Sequence, residues 1–181
     1  MVKEYSSIIG TPVLHYEDGA LLAAVQDVIV DTDTGKIEGV WVKPLTLPIA
    51  DAVIQVQDIT EWKKNIYIKN ESVISEPADI IKITDILSKN TVVIGNSVKN
   101  QEGKNYGKVF DLTFDAGSYY IRQIYVQKSI LGFINFDKRI LAYDTIIEIL
   151  QDAIIIDDKT AQKEKVVEAG FVKNTSPDAI S

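Results

Sequence analysis

Cysteine is absent from this chain, which excludes disulfide bonds and thiolate sites and suits a reducing compartment. The first residues, MVKEYSSIIG, lack the basic region and the long apolar run of a secretion signal. No apolar segment of the sequence approaches the length that is needed to cross a bilayer. We therefore expect a soluble, cytoplasmic protein without a membrane span.

Catalytic motifs are also missing. The sequence contains no GxSxG, Walker-type loop, HExxH or GxGxxG. Its one histidine, His15, has no nucleophile motif beside it, and the matching position of the repeat described below is Asn100. We interpret His15 as a surface residue at the end of a strand. The expected protein is not an enzyme and binds no cofactor.

Basic residues are scarce in the first half of the chain. Residues 1–88 contain seven lysines, no arginine and fourteen acidic residues, whereas residues 89–181 contain twelve basic and twelve acidic residues. The net charge of −7 therefore comes from the first half. Because a protein that binds a phosphate backbone normally has a basic face, this distribution argues against nucleic acid as the partner.

One pattern of residues occurs twice. When the second half is shifted by 84 positions, apolar parity is preserved without gaps from residue 19 to residue 43. Small gaps extend the match on both sides, as far as the strands 66–68 and 154–156. The matching positions are Gly10 and Gly95, Asp27 and Asp111, Asp31 and Asp115, and Asp58 and Asp144. The pattern predicts a tandem duplication.

Each copy is predicted to form β-strands. The stretches DVIVDTDTGKIEGVWV and DLTFDAGSYYIRQIYV both alternate apolar and polar residues on either side of a turn. Gly35 and Gly117 are assigned to these two turns, since glycine readily adopts a positive φ. Short strands separated by frequent turns predict a meander that closes into a small barrel.

The repeats divide the chain into four parts. They are a first repeat (1–75), a connection (76–92), a second repeat (93–158) and a polar tail (159–181) with a short helix around residues 160–169. Two interpretations of the connection remain. It is either a strand over Ile80, Ile81 and Ile83 followed by a helical turn, or one helix from Pro77 to Ser88. The two barrels are expected to pack together across it.

The order of the motifs carries a family resemblance. Each copy has Ile-Gly-x-x-Val, a turn with Gly19 or Gly103, and then Val-x-Asp followed four residues later by a second aspartate. This order resembles the PRC-barrel family, which includes the cytoplasmic domain of the photosynthetic reaction-centre H subunit and the C-terminal domain of RimM-type ribosome maturation factors. The second copy has the expected Gly-Lys before Val109, whereas the first has Ala23 and Ala24 there. The resemblance implies an all-β chain of two homologous small PRC-type barrels in tandem, which act in docking.

Asp27, Asp31 and Asp33 suggest a calcium or magnesium site, because cation loops present oxygen ligands at alternate positions. However, no glutamate follows at the spacing that a twelve-residue calcium loop requires, and the second copy has Gly117 at the position of Asp33. We therefore assign no metal ligand and interpret these aspartates as acceptors of hydrogen bonds from loop amides.

Candidate partner-binding residues come from two segments of the second copy. Tyr119 and Tyr120 lie in its turn, where exposed aromatic rings favour partner contacts. The segment KSILGFINF, residues 128–136, is an unusually apolar connection that covers its own barrel or docks on the other barrel or a second protein. Its candidate residues are Ile130, Leu131, Phe133 and Ile134. Trp41 and Tyr125, at matching strand positions, are assigned to packing.

The expected function is that of a non-catalytic adaptor that binds a protein partner, and a homo-oligomer is compatible with it. Two alternatives remain open. One is RNA processing or ribosome association, by analogy with the RimM-type factors alone. The other is an ion-dependent sensor or an uncharacterised enzyme.

Overall fold

A computed structural model describes residues 1–130 and 133–157 of the chain, with the side chains of residues 1–128 and 138–157. The described residues are mainly β-strands in two sheets, with few helical segments. The predicted all-β fold class is confirmed. The helix expected around residues 160–169 lies outside the described residues.

The first sheet contains strands from the first copy. Its strands are β2 (Pro12–His15), β3 (Leu21–Asp31), β4 (Lys36–Pro44), β5 (Ala52–Gln55), β6 (Ile59–Trp62) and β7 (Ile66–Ile68). They lie in the order β5-β4-β3-β2-β7-β6, and only the β2–β7 pair is parallel in this described order. Ala23 and Val25 of β3 and Val40 and Val42 of β4 belong to the core, and register shifts after Val25 and Ile29 interrupt strict alternation along β3.

The second sheet repeats this arrangement. Its strands are β1 (Val2–Glu4), β8 (Ser97–Asn100), β9 (Asn105–Asp115), β10 (Ile121–Ile130), β11 (Phe133–Ala142), β12 (Ile146–Ile149) and β13 (Ile154–Ile156). The order β11-β10-β9-β8-β13-β12 matches the first sheet strand for strand, including the parallel pair β8–β13. Neither path of ladders closes into a ring within the described residues, so each sheet is a partly open barrel.

The aspartates shared by the copies occupy corresponding places. Asp27 and Asp111 each follow a β-bulge, and each accepts a hydrogen bond from the next backbone amide, at 2.7 Å and 2.8 Å. Asp58 ends the 3₁₀ turn Val56–Asp58, whereas Asp144 is the middle residue of the turn Tyr143–Thr145. The last two aspartates therefore lie in corresponding turns at positions that differ by one residue.

The two β3–β4 and β9–β10 turns contact each other. The amide of Ile37 donates to the carbonyl of Tyr119 at 2.8 Å, and the amide of Ile121 donates to the carbonyl of Gly35 at 2.9 Å. Ile37 of the first copy corresponds to Ile121 of the second, and Gly35 corresponds to Tyr119. The two bonds are therefore related by an approximate twofold axis. Each turn is held by the turn of the other copy.

The expectation that Gly117 supplies the positive φ of the second turn, as Gly35 does in the first, is wrong. Gly35 has φ +72°, but the residue that takes a positive φ in the second turn is Tyr119, at +65°. The carboxylate of Asp115 accepts bonds from the amides of Gly117 and Ser118, both at 2.9 Å. These bonds, together with the backbone bond from Tyr119 to Asp115 at 2.6 Å, hold the strained residue in place.

The segments that precede each copy pack on the other copy. Strand β1 pairs with β9 of the second sheet, and helix α1 (Tyr5–Ile8) follows it there. The connection forms a 3₁₀ turn, Pro77–Asp79, and helix α2 (Ile81–Ser88), whose Ile83 and Ile86 pack on the outer face of the first sheet. The alternative with a strand over residues 80–83 is therefore wrong, and the helical alternative is correct apart from a break at Ile80.

The two copies share one hydrophobic core. A single cluster of buried side chains runs through both sheets. At its centre the ring of Trp62 lies 5.4 Å from that of Phe114 and 6.1 Å from that of Tyr119, measured between ring centroids. Aromatic contacts of this kind add to the stability gained from burial alone. The copies are therefore joined by direct core packing, whereas helix α2 of the connection packs on the outer face of the first sheet.

Candidate interaction surfaces

The described residues of the apolar segment, 128–130 and 133–136, lie in two paired strands and not in a loop. Strand β10 continues through Lys128 to Ile130, and β11 begins at Phe133, with Lys128 opposite Asp137. Since β9 pairs with β10 only as far as Gln127, the paired strands extend beyond their neighbour in the sheet. The prediction of a strand connection is thus corrected: most of the segment belongs to strands.

The structure describes the four candidate residues of this segment to different extents. The backbones of Ile130, Phe133 and Ile134 lie in the paired strands, and their side chains are not among those described. Leu131 lies outside the described residues. Their assignment to partner binding stays a prediction, whereas the backbone that carries three of them is located.

Strand β11 forms one edge of the second sheet. It has ten residues, and among the described strands it pairs only with β10. Lys138 lies over the ring of Phe110, 5.5 Å from its centroid, and the guanidinium of Arg139 lies 5.0 Å from the centroid of Tyr106. Charged side chains commonly protect an edge against added strands. Here both cations face rings of their own sheet.

The corresponding edge of the first sheet is shorter and partly covered. Strand β5 has four residues, and Val53 exchanges two backbone hydrogen bonds with Ser75, at 2.9 Å and 3.1 Å. Val53 also packs against helix α2 on the outer face. The two copies therefore share a strand order and differ in the length and cover of this edge.

The two tyrosines of the second turn do not form one exposed pair. Tyr120 is 46% exposed. Tyr119 is half-buried against Trp62, and this burial raises the pKa of its hydroxyl. The expectation that Tyr119 offers an exposed ring is wrong, because the ring packs beside that of Trp62. Tyr120 keeps the exposure that partner contact requires.

The aspartates of the first turn hold an ammonium group. Lys89 Nζ lies 3.2 Å from Asp31 Oδ1 and 2.6 Å from Asp33 Oδ2. Burial disfavours the charged form of Asp31, but hydrogen bonds from Thr34 and Lys89 outweigh it and keep the pKa of this carboxyl below its usual value. Among the described residues, no group of three or more histidine or acidic side chains could hold a metal ion.

Divalent cations should not stabilise this turn, because Lys89 already supplies positive charge to both carboxylates. We expect the melting temperature to stay unchanged when millimolar calcium or magnesium is added. A site filled to a hundred times its dissociation constant would add about 2.7 kcal/mol. A rise of several degrees that Asp33→Asn abolishes would show that a cation displaces the lysine.

His15 ends β2, in agreement with its interpretation as a strand-end residue. Its Nδ1 lies 2.7 Å from Asp18 Oδ1, and this hydrogen bond raises the pKa of the imidazole. Asp18 also accepts a bond from the amide of Ala20, at 3.0 Å. These contacts order the turn between β2 and β3.

A cavity of about 280 Å³ lies against the outer face of β3 and β4, beside α1 and the end of α2. Its polar lining includes Tyr5, Asp27 and Trp41, and its apolar lining includes Ile86 and Val92. Sequence reasoning assigned Asp27 to a turn and Trp41 to packing, and missed the cavity. The sequence signal that could have indicated the cavity is the pairing of Asp27 with Trp41, which lie opposite each other on β3 and β4.

Comparison with known proteins bears on the first copy. The profile of the PRC-barrel domain matches residues 1–74. No curated protein matches the chain significantly. None of the helices in residues 1–130 and 133–157 has both the length and the apolarity that a transmembrane helix requires. PRC-barrel domains are small β-barrel modules that often take part in protein interactions. The family match therefore assigns residues 1–74, the first copy, to the PRC-barrel domain.

Proposed function

We propose that the chain is a non-catalytic, cytoplasmic docking protein that binds a protein partner by strand addition at the edge of β11. The second copy, which has the same strand order as the first, is inferred to be a second PRC-type domain that supplies this edge. The observation that carries the proposal is the ten-residue strand β11, which pairs on one side only within the described residues.

An edge strand presents a row of backbone N–H and C=O groups at the spacing that another strand requires. A peptide that pairs with it gains affinity from main-chain hydrogen bonds and specificity from side chains on alternate positions. Of the described edge strands, β11 is the longest, since β5, β6 and β12 have four residues each. Longer pairing provides more hydrogen bonds, so β11 supports strand addition best.

The neighbouring side chains suit such a partner. Ile140 of β11 lies opposite Tyr125 on the outer face, and Leu141 is buried in the core. An added strand would therefore pair with a backbone that the buried side chain of Leu141 holds against the core. The cations of Lys138 and Arg139 lie over rings of the sheet, so the second sheet carries positive charge beside this edge, which suits an acidic segment.

Ile140→Lys tests this mode of binding. A lysine beside the backbone edge disfavours the approach of a second strand, and we expect retention of the partner to fall about ten-fold. The measurement is affinity capture from a lysate of the source organism, with bound proteins quantified for the original chain and the variant. A second copy of the chain counts as a partner, and sedimentation of the pure protein measures that case.

The matched control is Ile147→Lys, which makes the same substitution on β12 at the opposite edge of the described sheet, where Ile147 is 50% exposed. This variant should retain partners as the original chain does. Equal retention by both variants and the original chain would exclude the edge of β11 as the binding site.

A further inference from the structure

The two copies carry equivalent pairs of side chains, an aspartate and an aromatic residue, on their outer faces. Asp27 of β3 faces Trp41 of β4, and Asp111 of β9 faces Tyr125 of β10. Directly opposed residues of antiparallel strands bring their side chains into contact distance. Each copy therefore places a carboxylate beside an aromatic ring, at the same place in the sheet.

In the second copy this place is filled by helix α1. The hydroxyl of Ser6 donates to Asp111 at 2.6 Å, and the amide of Ser6 donates to the other oxygen of the same carboxylate at 3.1 Å. Asp111 is consequently half-buried. Its acceptor capacity is used by the chain itself.

In the first copy the corresponding place is open. The residue that matches Ser6 is Thr91, whose hydroxyl lies 2.7 Å from the hydroxyl of Thr32 and not at the aspartate. Asp27 stays exposed and lines the cavity together with Trp41. The difference between the copies is a carboxylate–aromatic pair that is covered in one and accessible in the other.

The described lining of the cavity contains the carboxylate of Asp27 and no cationic side chain. The ion pairs among the described residues involve other carboxylates than Asp27. The hydroxyl of Tyr5 donates a hydrogen bond to Asp27, and burial together with the charges of Asp27 and Asp111 raises the pKa of Tyr5 to about 12. The carboxylate of Asp27 therefore has a hydrogen bond from Tyr5 but no ion-pair partner among the described ion pairs, and a cation would stabilise it.

We propose that this cavity binds a small organic ammonium ion. The carboxylate of Asp27 accepts the charged hydrogen bond, and the adjacent ring of Trp41 contacts the positively polarised carbon atoms of the ligand. The apolar body of the ligand packs on Ile86 and Val92. A volume of about 280 Å³ lies near the lower end of the range of roughly 300–1,000 Å³ for small-molecule sites, so the ligand is small.

Benzylammonium is a suitable probe, with benzyl alcohol as its uncharged analogue. The chain has two tryptophans, so its indole N–H signals can be followed by NMR and assigned with Trp62→Phe. We expect benzylammonium at millimolar concentration to shift the Trp41 signal and to leave the Trp62 signal in place, because only Trp41 lines the cavity. Benzyl alcohol should bind at least about ten-fold more weakly, since it lacks the charged hydrogen bond.

Asp27→Asn removes the charge and keeps the shape of the side chain. We expect it to weaken benzylammonium binding about ten-fold, while the matched variant Asp111→Asn binds as the original chain does. The proposal is overturned if benzylammonium shifts neither signal, if benzyl alcohol binds equally well, or if Asp27→Asn and Asp111→Asn behave alike. Ile140→Lys should retain ammonium binding, so failure of the edge-docking proposal and failure of this one are distinguishable.

Discussion

Replacement of Gly107 by alanine should lower the free energy of unfolding by about 3–5 kcal/mol, the largest loss expected for the removal of a single glycine. Gly107 has φ +117°, where side chains are disfavoured. A Cβ atom at this position would lie 2.1 Å from the carbonyl oxygen of Gln127 and 2.8 Å from the amide nitrogen of Lys128. Because these are backbone atoms of β10, no side-chain rotation can relieve the contact.

The matched control is Gly103→Ala, in the turn before β9. Gly103 has a similar positive φ, +82°, but no atom lies within 4 Å of its added Cβ. Its alanine variant should lose only the conformational term, about 1–2 kcal/mol. Denaturant unfolding followed by circular dichroism measures both variants. If Gly107→Ala is no less stable than Gly103→Ala, then β9 and β10 do not approach each other as closely as described.

Val109→Asp should unfold both copies together. Val109 is 2% exposed, and an unpaired carboxylate there would lower the free energy of unfolding by more than about 4 kcal/mol. The loss extends to the first copy because Trp62 packs against Phe114 in the shared core. Both tryptophans, Trp41 and Trp62, belong to the first copy, so their fluorescence reports on the copy that is not mutated.

We expect the fluorescence and circular dichroism of this variant to show one common transition, shifted to lower denaturant. Lys108→Asp is the control, since Lys108 is the exposed neighbour and should tolerate the same new side chain within about 0.5 kcal/mol. Tryptophan fluorescence that keeps its original midpoint while the circular dichroism transition moves to lower denaturant would mean that the copies unfold independently, which contradicts the common core.

The period-two pattern was sufficient to predict that the chain is mainly β-strand. Matching strands lie at matching places in the two described sheets, including the pairs 66–68 with 154–156 that were aligned across gaps. The carboxylates of Asp27 and Asp111 also occupy the same bulge in each copy. This information is local, because each strand's alternation depends on which face is buried and not on its partner.

Contacts between distant segments could not be predicted in this way. The pairing of β1 with β9 joins residues more than a hundred positions apart, and nothing in VKE identifies its partner strand. Glycine composition favours Gly117 for the positive φ of the second turn, whereas Tyr119, which accepts a bond from the other copy, has it. The cavity beside Trp41 likewise depends on the position of α2, which packs by tertiary contact.

The reciprocal bonds between the two turns have the geometry of an isologous interface. Ile37 to Tyr119 and Ile121 to Gly35 are the same contact made in both directions, which is how two identical subunits associate around a dyad. A linker between such halves replaces bimolecular assembly with an intramolecular encounter at high effective concentration. Formation of this contact is consequently independent of dilution, which a pair of separate subunits could not achieve.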